Sequence, residues 1–456
     1  MDVLFLDTDI EANTPEVRRL THHLYGGDAA YRLAQELILG VGGLRMLRTL
    51  GYSSLCCFHM NEGHAAFLGL ERLVEEQHKS QKPSDVRALL HKIRNETVFT
   101  THTPVPAGHD RFDASLVEQT LPETLRSLLN SLGFGPTLNM TQLALEVSGF
   151  VNGVAIRHGE ISRDMFPNYP IHSITNGVHH THWTSPPFAR LFDRYLHNWR
   201  RDPYSLRYAA SIPLEDIWQA HQENKASLMA CARQVAHSDL DCHVFTIGYA
   251  RRFTAYKRPG LLFSDFERLQ QIAAKHTRLQ ILFAGKAHPR DTAGKTEIQN
   301  LIALTRQRSD SIRVVYLPNY DMALAKVLVA GVDLWLNTPL PPLEASGTSG
   351  MKAALNAVPH LSTLDGWWLE GHIEGVTGWS IDPKVDRHSP PAEDLDRIHA
   401  QSLYEKLEQV ILPCFDSNRP HYQEIMRNAI AINASFFNTQ RMMSQYVIQA
   451  YRQLTS

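Results

Sequence analysis

HVFTI (243–247), LQILFAG (279–285), IRVVYL (312–317), VDLWLN (332–337) and HLSTLD (360–365) decide the fold. Each is a nearly continuous apolar run rather than a strict apolar–polar alternation, as expected of strands buried on both faces. Between them lie helical stripes: Leu262, Phe266 and Leu269; Ile298, Leu301 and Ile302; Leu324, Val327 and Leu328; Met351, Ala354, Leu355 and Val358. Their spacings of three, four and seven residues mark one face of an α-helix. Alternating strands and helices predict an α/β chain with a parallel, doubly wound sheet. The first 180 or so residues mix helical patterns with short strands in an order the sequence does not resolve.

In such sheets ligands bind beyond the C-terminal ends of the strands. The five segments there are GYARRFTAYKRP (248–259), GKAHPR (285–290), PNYD (318–321), TPLPPLEASGTSGMK (338–352) and LDGWW (364–368). Any one of them, with its charges, fits a solvated loop. Five in succession, rich in Arg, Lys, Gly and aromatics, predict a sheet rim built for an anion.

EASGTSGMKAALN (344–356) is the sharpest of these pieces. Gly347 and Gly350 let the backbone approach a ligand. Thr348 and the free N–H groups of the turn suit phosphate oxygens where a helix over 351–358 is expected to begin. Lys352, in its first turn, suits two uses: pairing with a phosphate, or a Schiff base with an aldehyde cofactor. Trp367 and Trp368 fit either core packing or stacking on a sugar ring.

Composition removes several classes of function. With 45 Lys+Arg against 47 Asp+Glu, the net charge of −2 offers no global basic field for nucleic acid. Five cysteines without a CxxC argue for a reducing compartment and against a disulfide framework or structural zinc. MDVLFLDTDIEANTPE is too short in its apolar run and too acidic for a signal peptide. The most apolar stretch, MALAKVLVAGVDLWLN, carries Lys326 and Asp333, so no membrane span is expected. A cytoplasmic protein is the default. Segments 80–87 and 382–394 are polar and read as surface loops.

Three motifs are set aside. GVGG (40–43) follows a helical pattern, not the strand that a dinucleotide fingerprint requires. His179, His180 and His182 lack the cysteines or paired carboxylates of a metal centre, and no metal site is expected. HMNEGH (59–64) has the wrong spacing for a zinc-protease helix, and Gly63 is a poor helix-interior residue.

Seven segments are collinear with a known family: NEGHAAF (61–67), THTPVPAGHD (101–110), VNGVAIRHGEISR (151–163), ITNGVHHTHW (174–183), RRFTAYKRP (251–259), FAGKAHP (283–289) and EASGTSGMKAALN. Together they resemble the α-glucan (glycogen/starch/maltodextrin) phosphorylase family, in its shorter, mainly prokaryotic branch. The resemblance implies a two-domain, GT-B-like glycosyltransferase fold and pyridoxal 5′-phosphate bound covalently at Lys352. It implies retaining phosphorolysis of α-1,4-glucans by inorganic phosphate to glucose 1-phosphate, with the cofactor's phosphate exchanging a proton with the substrate phosphate.

By position, Lys257, Thr348 and Gly347 match residues that hold the cofactor phosphate, with Arg251 beside them, and Tyr320 matches a residue packed near the cofactor. Arg252 and Lys257 match the binders of the substrate phosphate. Glu344, Ser346 and Gly347 match contacts to glucosyl hydroxyls. His102 matches a histidine whose main chain faces the reacting sugar, and Asn176 a contact to the hydroxymethyl group. Asn61 and His64 match a motif behind the cleft surface. The implied catalytic set is Arg252, Lys257, His102, Glu344 and Asn176. Two phosphates and a developing oxocarbenium ion need cations and oriented N–H groups, which these residue types supply.

Family chains are longer, and the likeness is to their later part. The expected domains are 1–182 (the remainder of an N-terminal domain), 183–425 (a Rossmann-like cofactor domain) and 426–456 (a helical segment). MDVLFLDTD reads as a mid-domain strand. An incomplete N-terminal sheet exposes apolar edges, so poor solubility, a homodimer, or a separate chain supplying the missing part is expected. The alternatives are a non-catalytic glucan-binding remnant and a sugar-nucleotide-dependent, glycogen synthase-like transferase.

Overall fold

The computed structural model describes residues 2–23, 27–79, 85–289, 291–306, 309–382 and 392–452. Most of the two polar segments read as loops lies outside the described residues. Where the description resumes, Asp85 caps the helix Val86–Arg94 and the helix Ala392–Lys406 begins. The chain divides into two compact units, Met1–Ile174 with Ser444–Ser456, and Thr175–Met443. The final helical stretch is therefore shared between them. Among the described residues no helix is long and apolar enough to cross a membrane.

The first unit holds β1 (Phe58–Asn61), β2 (Thr97–Thr100), β3 (Arg111–Asp113), β4 (Thr137–Asn139), β5 (Phe150–Gly153) and β6 (Ile171–Ser173). β1, β2, β5 and β6 form a parallel sheet in that order, and β3 pairs with β4 antiparallel. The inner strands β2 and β5 are buried throughout. Edge strand β1 alternates, with Phe58 and Met60 inside and His59 and Asn61 outside. Phe67, Leu70 and Leu73 of the helix Phe67–Lys79 pack into this core with Leu143.

Among the described residues, 2–9 of MDVLFLDTD form no strand. Val3 and Phe5 are 69% and 88% exposed. A strand needs a neighbouring strand for its N–H and C=O groups, and among the described residues none runs beside this segment, whose Thr8 N–H and carbonyl bond instead to the Thr21 hydroxyl and the Asn13 amide.

In the second unit β7 (Phe245–Ala250), β8 (Leu279–Ala284), β9 (Ile312–Leu317), β10 (Leu334–Asn337), β11 (His360–Thr363) and β12 (Gly378–Ile381) form one sheet. All five pairings are parallel, in the order β12-β11-β10-β7-β8-β9. The doubly wound α/β expectation holds. β12 is an addition to the strands read from sequence. The helices Thr292–Thr305 and Met322–Gly331 carry the second and third apolar stripes whole, whereas the first is divided: Phe266 and Leu269 lie on the helix Phe266–Lys275 and Leu262 on the short 3-10 helix Leu261–Phe263 before it.

The chain starts at the centre of this sheet, runs out to β9, returns to lay β10 against β7, and runs out the other way. The β7/β10 boundary is therefore the topological switch point, where the loops leaving adjacent strands diverge and open a crevice. At the opposite end of these strands, Asp333 is fully buried. It pairs with Lys225 Nζ at 2.5 Å and His221 Nε2 at 2.9 Å, and accepts the Thr246 N–H at 2.7 Å. Both partners lie on the long helix Leu214–Ala236. Such a network is costly to break, because loss of Lys225 or Asp333 would leave the other as an uncompensated buried charge.

Candidate functional site

The loop after β7 and the loop after β10 meet at the switch point. Arg258, buried and at φ 48°, ties them together by donating from Nε to the Thr338 carbonyl and from Nη2 to the Pro339 carbonyl. The Thr338 hydroxyl donates back to the Lys257 and Arg258 carbonyls, and the Leu340 N–H to the Tyr256 carbonyl. Arg258 thus serves the scaffold rather than a ligand.

The same two loops bring three charged groups together. Glu344 Oε2 accepts from Arg251 Nη2 at 2.6 Å and from Lys257 Nζ at 2.5 Å. All three side chains are at most 9% exposed. Burial raises the Glu344 carboxyl, but Arg251 and Lys257 outweigh it and hold the group below its ordinary range. Burial and the neighbouring Arg251 push the Lys257 ammonium down to about 7, against the pull of Glu344. Two buried cations share one carboxylate, so the loops are positively charged overall while Lys257 is protonated.

Buried donors around this trio stand unused. Arg251 Nε and Nη1, Thr254 Oγ1 and Ser346 Oγ have no hydrogen-bond partner. Leaving such groups unpaired costs free energy, so a cluster of them next to surplus positive charge marks an anion seat. Arg252 is exposed, with no ion pair among the described residues. Tyr320 is half-buried in the loop after β9, where burial raises its phenol against the opposing charge of Arg251.

Gly347 has φ +76°, and a Cβ there would lie 3.2 Å from Glu344 Cγ. Thr348 begins the next helix with no side-chain cap bond. That helix is Ser349–Ala354, shorter and earlier than the expected 351–358, and Ala357 at φ 57° turns the chain out of it. Lys352 therefore sits in its last turn, not its first. Its ammonium lies 4.0 Å from the centre of the Trp183 ring and has no carboxylate or carbonyl partner among the described residues. Burial lowers its pKa.

Such an amine is disposed to act as a nucleophile toward an aldehyde. With the orphaned donors at 251, 254 and 346, the residues fit a cofactor carrying both an aldehyde and a phosphate. Trp367 and Trp368 are at most 1% exposed and belong to the core, not to a stacking surface. Asn176 lies in this unit, where Arg441 Nη2 grips its carbonyl at 2.9 Å.

The other candidate residues lie in the first unit. β1 and β2 end side by side and deliver Asn61 and His102. His102 Nε2 meets Asn61 Oδ1 at 2.6 Å, and burial lowers its pKa, which keeps the ring neutral. Between them stands Glu62, which the sequence reading passed over. It is buried at φ 68°, rare for a non-glycine residue. Its carboxylate accepts the His102 N–H at 2.7 Å, the Thr103 hydroxyl at 2.9 Å and the Gly63 N–H at 3.0 Å.

His64 points elsewhere, into a cluster with Arg32, Glu36 and Asp110. Its Nδ1 lies 3.2 Å from Asp110 and 3.7 Å from Glu36. Burial opposes its charge, but the two carboxyl groups prevail and raise it to about 9, while burial drives Glu36 up to about 7. His179 caps the helix His180–Trp183 and His180 bonds the Arg200 carbonyl, so both serve the fold.

A family profile described as Carbohydrate phosphorylase matches residues 132–374, which span the switch-point loops. The chain belongs to the carbohydrate phosphorylase family. It is 38% identical to a maltodextrin phosphorylase of Thermococcus litoralis, over 98% of this chain and 57% of that protein. It is 34% identical to a glycogen phosphorylase of Aquifex aeolicus, over 98% of this chain and 70% of the relative. A glycogen phosphorylase of Mycobacterium tuberculosis is also 34% identical, with 98% and 58% covered. The chain thus spans little more than half the length of several relatives it matches.

Proposed function

We propose that the protein is an α-1,4-glucan phosphorylase that carries pyridoxal 5′-phosphate covalently on Lys352 and works by retaining phosphorolysis. The observation that carries this reading is the pairing, within one unit, of an acceptor-free lysine with buried, unused anion donors at the switch point. Family membership supports phosphorylase chemistry over a sugar-nucleotide transferase.

When bound, the cofactor would supply a phosphate able to exchange a proton with the substrate phosphate. Lys352 would anchor it. Arg251, Lys257, Thr348 and the Gly347 turn would hold its phosphate, with Tyr320 beside it. Arg252, exposed and unpaired, is the group suited to an anion that enters and leaves, with Lys257 shared between the two. Glu344 spaces the cations and, with Ser346 and Gly347, offers acceptors and donors to sugar hydroxyls. His102, neutral and fixed through both its main chain and its ring, presents a rigid main-chain segment to the reacting sugar. Asn61 orients that ring, and Asn176 offers an amide to a hydroxymethyl group.

The proposed substrates are α-1,4-glucan and inorganic phosphate, and the proposed compartment is the cytoplasm. A second polypeptide, either a copy of the chain or another, is the proposed partner. Leu4, Phe5, Leu6, Leu20, Ile38 and Leu39 of the first unit support this, since they form the apolar part of one open cavity of about 400 Å³ that Arg32, Glu36 and His64 also line.

The purified protein, given pyridoxal phosphate, maltodextrin and inorganic phosphate, should bind the cofactor and release glucose 1-phosphate. Absence of any bound cofactor in the absorbance spectrum would refute the Lys352 reading. Bound cofactor without product would refute self-sufficient activity and point to the partner.

A further inference from the structure

The LDGWW turn after β11 contributes no side chain to the anion seat, yet it grips the loop that does. Asp365 Oδ2 accepts the Glu344 N–H at 2.8 Å, and Oδ1 accepts the Gly366 N–H at 2.9 Å. The Trp367 N–H donates to the Ser346 carbonyl at 2.8 Å. Gly366 has φ +55°, and a Cβ there would stand 2.4 Å from the Ser346 carbonyl oxygen. The turn is therefore seated directly against residues 344–346, at a distance only glycine permits. Behind it, Trp367 and Trp368 anchor it in the core.

We propose that Asp365 is a positioning residue, which fixes the 344–347 loop through the Glu344 N–H and so sets Glu344 between Arg251 and Lys257. The proposal rests on the phosphorylase reading of that loop and adds to it the group that holds it in place.

The physical case has two parts. First, Glu344 reaches Arg251 and Lys257 across the switch point from a loop carrying a positive-φ glycine three residues on. Such a loop has many conformations available, and each must be excluded for the trio to form. A buried carboxylate that accepts a backbone N–H at the base of Glu344 excludes most of them. Second, Asp365 is 3% exposed and has no cationic hydrogen-bond partner among the described residues. The charged groups facing it are Glu344 and Lys257, and burial pushes its carboxyl up to about 7 against the Glu344 and Gly366 N–H bonds, with the Glu344 charge adding to the rise and Lys257 opposing it. A buried carboxylate without its own counter-ion is expensive to retain. Its two contacts are both to backbone, one of them on the loop in question.

The test compares the protein with D365N and D365A at about pH 8, where the Asp365 carboxylate is ionised. Three quantities are read: affinity for pyridoxal phosphate by absorbance titration, the phosphorus resonance of the bound cofactor, and amide hydrogen exchange over 344–350. Asparagine is close in shape and keeps one acceptor oxygen. Alanine keeps none.

Affinity should fall in the order Asp, Asn, Ala. The loss at alanine should be about 10- to 100-fold, the range seen when groups that orient metal ligands are removed. The phosphorus resonance should shift in both variants, and the Glu344 amide should exchange faster while the β-strand amides keep their protection. Unchanged affinity and resonance in both variants would overturn the proposal, even with faster exchange, because Asp365 would then be merely structural. If the wild-type protein takes up no pyridoxal phosphate, the cofactor reading fails. The same variants titrated with sulfate then decide the matter: unchanged sulfate affinity overturns the role of Asp365, and a graded loss supports it.

Discussion

The two units solve the same problem with different chemistry. Each places candidate residues on loops leaving the ends of parallel strands, and each steadies a loop with a buried carboxylate that accepts backbone N–H groups: Glu62 in the first unit, Asp365 in the second. What they present differs. The second unit offers Arg251, Arg252, Lys257 and Lys352, with unused donors among them. The first offers an imidazole kept neutral by burial, with an amide beside it. Cations suit phosphate, and neutral donors and acceptors suit hydroxyls. The lesson is that strand-end placement is shared, while ligand class is set by the charge of the loops.

The largest expected effect tests the cationic side. Lys352→Ala should abolish covalent retention of pyridoxal phosphate, read as absorbance surviving borohydride reduction and denaturing gel filtration. Retention in the variant would move the linkage to another amine. Next comes Glu344→Gln, which strips the shared counter-charge from Arg251 and Lys257. Removing one partner of a buried pair costs about 3–5 kcal/mol, so thermal unfolding should drop well below wild type, and added sulfate should recover part of the loss. No recovery would mean the orphaned donors are not an anion seat.

Arg252→Ala should weaken phosphate use by on the order of 10²-fold, as for loss of one charge-stabilising donor. Phosphate dependence equal to wild type would remove Arg252 from that role. In the first unit, Glu62→Gln loses charge but keeps one acceptor, so a cost of about 1–2 kcal/mol is expected for the weakened bonds. It should appear as faster amide exchange at His102 and Thr103 with sulfate affinity untouched. A change in sulfate affinity would break the division of labour between the units.

The smallest effect is in pH. Lys257 is charged below about 7 and neutral above it, and Asp365 gains its negative charge over the same range. Both changes disfavour an anion as pH rises. Arg251, opposed by burial but held up by Glu344, keeps its charge there, and Tyr256, pushed up to about 12 by burial, stays silent. Sulfate, a dianion throughout, should bind a few-fold more weakly at pH 8 than at pH 6. Lys257→Met should flatten most of that slope, and a slope equal to wild type in that variant would assign it to Asp365.

The sheet of the second unit was legible because its strands are buried on both faces and so read as unbroken apolar runs. IRVVYL matches its strand to the residue, whereas HVFTI overlaps its strand only over 245–247, because that strand begins at Phe245 and runs on to Ala250. β12 escaped because GWSI is short and follows a turn rich in glycine. The first unit was opaque for a related reason: its strands are three or four residues long, too short for periodicity to speak. The strand-end rule found the loops that carry Arg251, Lys257, Glu344 and Lys352. It could not find the hands behind them. Glu62 lay within NEGH and Asp365 within LDGWW, in plain view, but a carboxylate that serves by accepting backbone N–H groups leaves no pattern in spacing. Lys352 falls in the last turn rather than the first because residues 349 and 350 join the helix and it ends at Ala354, with Ala357 at positive φ beyond it.

The return of the chain to the centre of its sheet also sets an order in time. Glu344 meets Lys257 across 87 positions of sequence and Arg251 across 93. Those contacts must wait until β8, β9 and their helices have wound and β10 has come back beside β7. Loop closure over such a span is slow compared with forming any single helix. The charged trio is therefore among the last features to assemble, and an added anion should slow unfolding while leaving the early phase of refolding unchanged.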